Sequence, residues 1–123
     1  MDLKEEFGNI DIYLGRIHPP LSLLDAGCGG GRNLVYFLRN GFEVFAVDTD
    51  PRSVEQVRHL AAKLAPELPP QSFRTADVAE IPFADEKFDL VISSAVLHFA
   101  RDEEHFDQML NEMWRVLKRG GMF

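Results

Sequence analysis

Two carboxylates and a run of glycines have the types and spacing needed to hold a small polar ligand. The stretch LLDAGCGGGRN, residues 23–33, carries an apolar run into Asp25 and then into Gly27, Cys28, Gly29, Gly30 and Gly31. Glycine accepts positive φ and lets a ligand touch the main chain. A helix that opens just after such a loop offers unpaired N–H groups, which favour a negative group. A second apolar run ends in Asp48, 21 residues after Gly27. An acid at that place can accept two hydrogen bonds from a ribose diol. The chemistry is that of a nucleotide-type cradle. The dinucleotide pattern G-x-G-x-x-G is met at Gly27 and Gly29, but Arg32 stands where its third glycine belongs. A large side chain there makes a poor pyrophosphate site and argues against an NAD-binding domain.

These residues must be positioned by the elements around them. Apolar spacing predicts a helix over residues 2–14, with Leu3, Phe7, Ile10 and Leu14 on one face. Residues 21–25 read as a strand buried on both faces, because the run is continuously apolar. A helix over 31–40 is stopped by Gly41. Residues 42–48 form a second strand, and Asp50-Pro51 opens a helix carried by Val54, Val57, Leu60, Ala61 and Leu64. Residues 72–76 and 88–93 supply two more strands. A last helix over 102–118 has Phe106, Met109, Leu110, Met113 and Leu117 as its apolar face and an acidic first turn matched to its dipole. Gly120-Gly121 ends it, and Met122-Phe123 begins a fifth strand. Alternating strands and helices imply a parallel sheet covered on both faces. In such a sheet ligands bind beyond the carboxyl ends of the strands, where strand order reverses.

Bulk properties narrow the function. The chain of 123 residues suits one domain. Its formal net charge of −7, with no Lys/Arg cluster, gives no footprint for nucleic acid. The single cysteine, Cys28, excludes an internal disulfide and supplies no zinc-ligand spacing. The start, MDLKEEF, has no apolar signal region, and no apolar run is long enough to span a bilayer. A soluble, cytoplasmic protein without metal or membrane role is expected.

The stretches LLDAGCGGGRN, VFAVDTDP, RTADVAEIPF, FDLVISSAVLHF and WRVLKRGGMF, in this order, resemble a class I S-adenosylmethionine-dependent methyltransferase. They are similar to its small-molecule group of tellurite-resistance and ubiquinone-biosynthesis types. The resemblance implies a Rossmann-like doubly wound sheet of order 3-2-1-4 with the start of strand 5. It divides the chain into an N-terminal helix or lid over 1–20 and a cofactor-binding core over 21–123. It implies that Asp25, Ala26, Gly27, Cys28, Gly29 and Gly31 wrap the methionine part of the cofactor. Arg32 or Asn33 would reach the carboxylate, and Asp48 the ribose. Thr49 would lie by the adenine, Asp77 would accept from its amino group, and Val78 would lie beside the ring. Ser93 and Ser94 would end the fourth strand near the sulfonium and the amine. S-adenosylmethionine is then the cofactor, S-adenosylhomocysteine its product, and the partner a small-molecule methyl acceptor.

His98 follows the fourth strand and is the candidate general base; the competing reading is a histidine of the pocket wall. His18, His59 and His105 read as surface or linker residues, Phe106 as core, Cys28 as a buried inert thiol, and Tyr13 as part of a lid. Members of the family run on for three more strands. The chain is therefore expected to be truncated at its C-terminus, to leave the fourth strand an open edge, and to turn over poorly alone. A non-catalytic S-adenosylmethionine-binding domain is the alternative to an enzyme.

Overall fold

The computed structural model describes residues 21–93 and 96–122. The helix expected over 2–14, and Tyr13 and His18 with it, lie outside them. Five strands form one parallel sheet: β1 (Ser22–Ala26), β2 (Glu43–Asp48), β3 (Phe73–Thr75), β4 (Phe88–Ile92) and β5 (Leu117–Met122). Their spatial order is β3-β2-β1-β4-β5. Three α-helices connect them: α1 (Val35–Arg39), α2 (Pro51–Leu64) and α3 (Glu103–Val116). A 3-10 turn, Arg32–Leu34, leads into α1, so the helix expected over 31–40 is a tight turn followed by little more than one α-helical turn.

The continuous apolar runs of β1 and β2 have a direct cause, because both faces of these strands are buried. Leu23, Val44, Ala46 and Phe73 pack beneath Phe37 and Leu38 of α1 and Val54, Val57 and Ala61 of α2. Leu24, Phe45, Val47 and Val91 pack on the other side beneath Met109, Met113 and Val116 of α3. Phe45 and Phe88 meet at a centroid distance of 5.2 Å, and Phe83 closes the same T-shaped group. Local signals agree with these elements. Asp50 accepts the Arg52 N–H at 2.9 Å with Pro51 in the first turn of α2. Gly41 takes φ +77° just beyond α1.

The chain leaves β1 for β2 and β3 on one side and returns to β4 and β5 on the other. Strand order thus reverses between β1 and β4, which pair with Leu24 opposite Val91. The crevice at the carboxyl ends of these strands is where a ligand belongs.

Three expectations are corrected here. The last helix ends at Val116, and the strand begins at once with Leu117 rather than at Met122. Gly120-Gly121 is not a helix stop but an irregularity inside β5. Phe88 pairs with Leu117 and Leu90 with Met122, a register shift that needs φ +76° at Gly120. A Cβ on Gly121 would stand 2.9 Å from the Asp89 carbonyl oxygen. β4 is consequently an interior strand and not an open edge. Of the apolar face expected for the last helix, Met109, Met113 and Leu117 are buried and Leu110 packs against the same core, whereas Phe106 is exposed and His105 and Val116 are buried as well.

Candidate functional site

The glycine loop is built by its own backbone. Gly27, Gly29 and Gly31 take φ of +81°, +53° and +87°, values that L side chains disfavour. The N–H groups of Gly27 and Cys28 both donate to the Val47 carbonyl, at 2.9 and 3.0 Å, tying the loop to the end of β2. Asp48 stands there. Its Oδ2 accepts from the Gly29 N–H and its Oδ1 from the Asp50 N–H, each at 2.9 Å. One carboxylate therefore joins the β1 loop to the turn that opens α2. The close helix packing that a third glycine gives a dinucleotide loop falls on Gly31, where a Cβ would stand 3.0 Å from Val57 Cγ2.

Asp77 follows β3. Its Oδ1 accepts from the Ala79 N–H at 2.9 Å, and His105 Nε2 lies 3.0 Å from both carboxylate oxygens. His105 is buried, so its reading as a surface residue is corrected: it faces Asp77 from the first turn of α3. Asp102 caps that helix by accepting the His105 N–H at 2.8 Å. Arg115 fixes the other end of α3 to the same loop, donating to the carbonyls of Ile81 and Phe83 at 2.8 and 2.9 Å.

These groups surround one pocket of about 670 Å³ at the carboxyl ends of β1, β2 and β3. Of the sequence-predicted residues, Gly27, Gly29, Asp48, Thr49, Asp77 and Val78 line it. Asp25, Ala26, Cys28 and Gly31 are buried beneath the loop instead, and Arg32 and Asn33 are exposed outside that lining. Ser93 is half-buried just past β4. Ser94 lies outside the described residues, and so does the side chain of His98. Sequence reasoning missed Asp50 and Ser53 at the start of α2, and Phe99, Arg101, His105 and Met109 around the start of α3. The signal for His105 was present: it precedes Met109 by four residues and Met113 by eight, on one helical face. Among the described residues no cluster of His, Cys, Asp or Glu could hold a metal ion, and no helix is long and apolar enough to cross a membrane.

Electrostatics separate the acids. Asp25 is fully buried, and neither of its oxygens has a hydrogen-bond partner in the protein. Burial first, and the charge of Asp48 second, push its carboxyl up to about 7. The same causes, burial and then Asp25 and Asp48, push the Cys28 thiol up to about 12. For Asp77, burial works upward, but the bonds from the Ala79 N–H and His105 outweigh it and hold the carboxyl below the ordinary value. The crevice is an acidic one with bare backbone on one side. It suits a ligand with hydroxyl, amine or cationic groups better than a pyrophosphate.

Comparison with known proteins agrees. A family profile described as a methyltransferase domain matches residues 24–123. The chain is 35% identical over 104 residues to an uncharacterised methyltransferase of Bacillus subtilis, covering 85% of this chain and 42% of the relative. It is 34% identical over 113 residues to the malonyl-[acyl-carrier protein] O-methyltransferase of Pseudescherichia vulneris, covering 90% and 41%. The chain thus spans about half, or less, of the length of the curated relatives it matches. Among solved structures, a TehB-like SAM-dependent methyltransferase from Corynebacterium glutamicum superposes with a TM-score of 0.65 at 26% identity, over 98% of this chain and 60% of that one. A methyltransferase from Methanosarcina mazei shares the fold with a TM-score of 0.68 at 23% identity, over 87% of this chain and 52% of that one.

Proposed function

The chain belongs to the family of S-adenosylmethionine-dependent methyltransferase domains, and on that premise we propose that it binds this cofactor in the crevice above β1–β3 and serves methyl transfer to a small-molecule nucleophile. The observation that carries the reading is the shared pocket: the carboxylates of Asp48 and Asp77 and the bare backbone of Gly27 and Gly29 line one cavity.

The residues fit the cofactor's chemistry. A carboxylate has about four lone-pair sites, and Asp48 commits one on each oxygen to the N–H groups of Gly29 and Asp50. The rest are free to accept ribose hydroxyls. Asp77 presents acceptors to a nucleobase amine. Asp25 lies beneath the loop with both oxygens orphaned, and a cationic group bound above it would favour its ionised form. Bound there, S-adenosylmethionine supplies an electrophilic methyl on a sulfonium. The chain's own work is then largely to hold and orient, which can supply much of a rate enhancement. The glycine backbone permits close approach, and the latch from Asp48 to Gly29 fixes the loop. His98 is the base this reading names for an acceptor that must lose a proton; unchanged turnover of His98→Ala with such an acceptor would remove it from that role. The relatives that act on malonyl-[acyl-carrier protein] support an oxygen nucleophile among the candidates.

Calorimetric titration with S-adenosylmethionine, S-adenosylhomocysteine and NAD tests the reading. Binding of the first two but not NAD is the expected result. Binding of NAD alone overturns it, as does a folded chain that binds none of the three.

A further inference from the structure

His105 stands 28 residues from Asp77 in sequence, and its burial needs a reason. A buried imidazole is costly unless both ring nitrogens are satisfied. Here both are. The Arg101 backbone N–H donates to Nδ1 at 3.0 Å, and Nε2 faces both Asp77 oxygens at 3.0 Å. A ring nitrogen that accepts carries no proton, so the proton of the neutral ring sits on Nε2 and is donated to Asp77. Docking of α3 does not call for this arrangement. The helix is already held by Met109, Met113 and Val116 in the core, by the Asp102 cap and by Arg115. An aliphatic residue at position 105 would serve that packing equally well, but it would leave the Arg101 N–H without its acceptor and Asp77 without this donor.

The effect falls on Asp77. It receives the Ala79 N–H and the His105 Nε2–H from the protein side, yet its side chain remains 38% exposed and lines the pocket. Both donors favour the ionised carboxylate, and Arg101 adds positive charge nearby. An ionised carboxylate only accepts, so its partner in the pocket must donate. We infer that His105 is a positioning residue which, through Asp77, makes this pocket select a purine with an exocyclic amine over one with a carbonyl at the same place. The inference rests on the cofactor reading above and deepens it. It concerns the nucleobase end of the ligand and not the transferred group.

The test compares two ligands that differ only there: S-adenosylhomocysteine and its 6-oxo analogue S-inosylhomocysteine. Calorimetry on the wild-type chain is expected to show a preference of about 10-fold or more for the amino compound. His105→Leu should bring the two dissociation constants to within about threefold of each other. His105→Gln, whose amide nitrogen can replace Nε2–H, should restore most of the preference. Asp77→Asn should abolish it with His105 intact, and His105→Leu should add no further loss in that background. A His105→Leu chain that weakens both ligands equally and keeps the preference would overturn the inference, leaving His105 a packing residue. Imidazole ¹⁵N spectra of the wild-type chain need no substitution: the neutral Nε2–H tautomer at His105 is expected, and the Nδ1–H tautomer overturns the assignment. If the wild-type chain binds neither compound, the cofactor reading itself falls. If it binds both alike, the cofactor reading stands and the inference alone falls.

Discussion

The Gly29 N–H donates to Asp48 Oδ2 at 2.9 Å, so the acid that lines the pocket also latches the glycine loop closed. Loop geometry and ligand affinity are therefore coupled through one side chain. Asp48→Ala removes the latch, the second bond to the Asp50 N–H and any acceptor for ribose hydroxyls. A cofactor dissociation constant about 10- to 100-fold weaker is expected, equivalent to about 1.5–3 kcal/mol. Calorimetry with S-adenosylhomocysteine reads it directly. An unchanged dissociation constant would take Asp48 out of the site.

Asp25 predicts an unusual dependence of stability on pH. Its carboxyl lies at about 7 in the folded chain against an ordinary 3.8. Between those values the folded state keeps a proton that the unfolded chain has released, so stability falls as pH rises and levels off above the folded value. Asp77, Asp89 and Glu112 are held below their ordinary values of 3.8, 3.8 and 4.5, so what they contribute is lost only in acid, as the pH falls through those values and below. Raising the pH from 5 to 8 is expected to remove about 2–3 kcal/mol through Asp25. Urea unfolding at both pH values checks it. Asp25→Asn should flatten the difference, and a variant that keeps the full loss would place its origin elsewhere.

How far the sequence disclosed this molecule depends on how local each signal is. The strands are plain because burial on both faces makes Leu23-Leu24 and the run from Val44 to Val47 apolar without alternation. Asp50-Pro51 and Gly41 mark helix ends because caps are local chemistry. The start of β5 was hidden for a related reason. Two glycines after a helical period read as a stop, whereas the pairing of Phe88 with Leu117 and of Leu90 with Met122 makes them part of a strand. On the last helix only Phe106 departs from the expected apolar face, because periodicity weighs apolar side chains and draws it inward. The spacing of His105 to Met109 and Met113 signals its buried face, but its partner Asp77 comes from another element and no window around it contains that acid. The family resemblance places Asp25 at the methionine part of the ligand. Its burial beneath the loop follows from its place on β1 between Ala46 and Ile92 of the neighbouring strands.

Cys28 should behave as an inert thiol despite its place in the loop. It is buried, and burial together with the neighbouring acids pushes its thiol up to about 12. The thiolate is the reactive form, so little of it exists at pH 8. Modification by an aromatic disulfide reagent at that pH is expected to run on the order of 100-fold slower in the folded chain than in urea. Equal rates would show that the loop does not cover the sulfur.

Two glycines with similar backbones separate strain from packing. Gly41 has φ +77° and open space where a Cβ would go, whereas Gly31 has φ +87° and would place a Cβ 3.0 Å from Val57 Cγ2 and 3.2 Å from Leu60 Cδ2. Alanine at Gly41 incurs only the left-handed backbone penalty, about 1–2 kcal/mol. Alanine at Gly31 incurs that penalty and also pushes on α2, for a total of about 2–4 kcal/mol. The excess should be visible in urea midpoints of the two variants. It should also reach the site, because Gly31 packs on α2 and the start of α2 lines the pocket with Asp50 and Ser53. Gly31→Ala is accordingly expected to weaken S-adenosylhomocysteine binding by about threefold or more, and Gly41→Ala to leave it unchanged. Equal destabilisation by the two substitutions would mean that α2 yields freely and that the contact at Gly31 does not brace the loop.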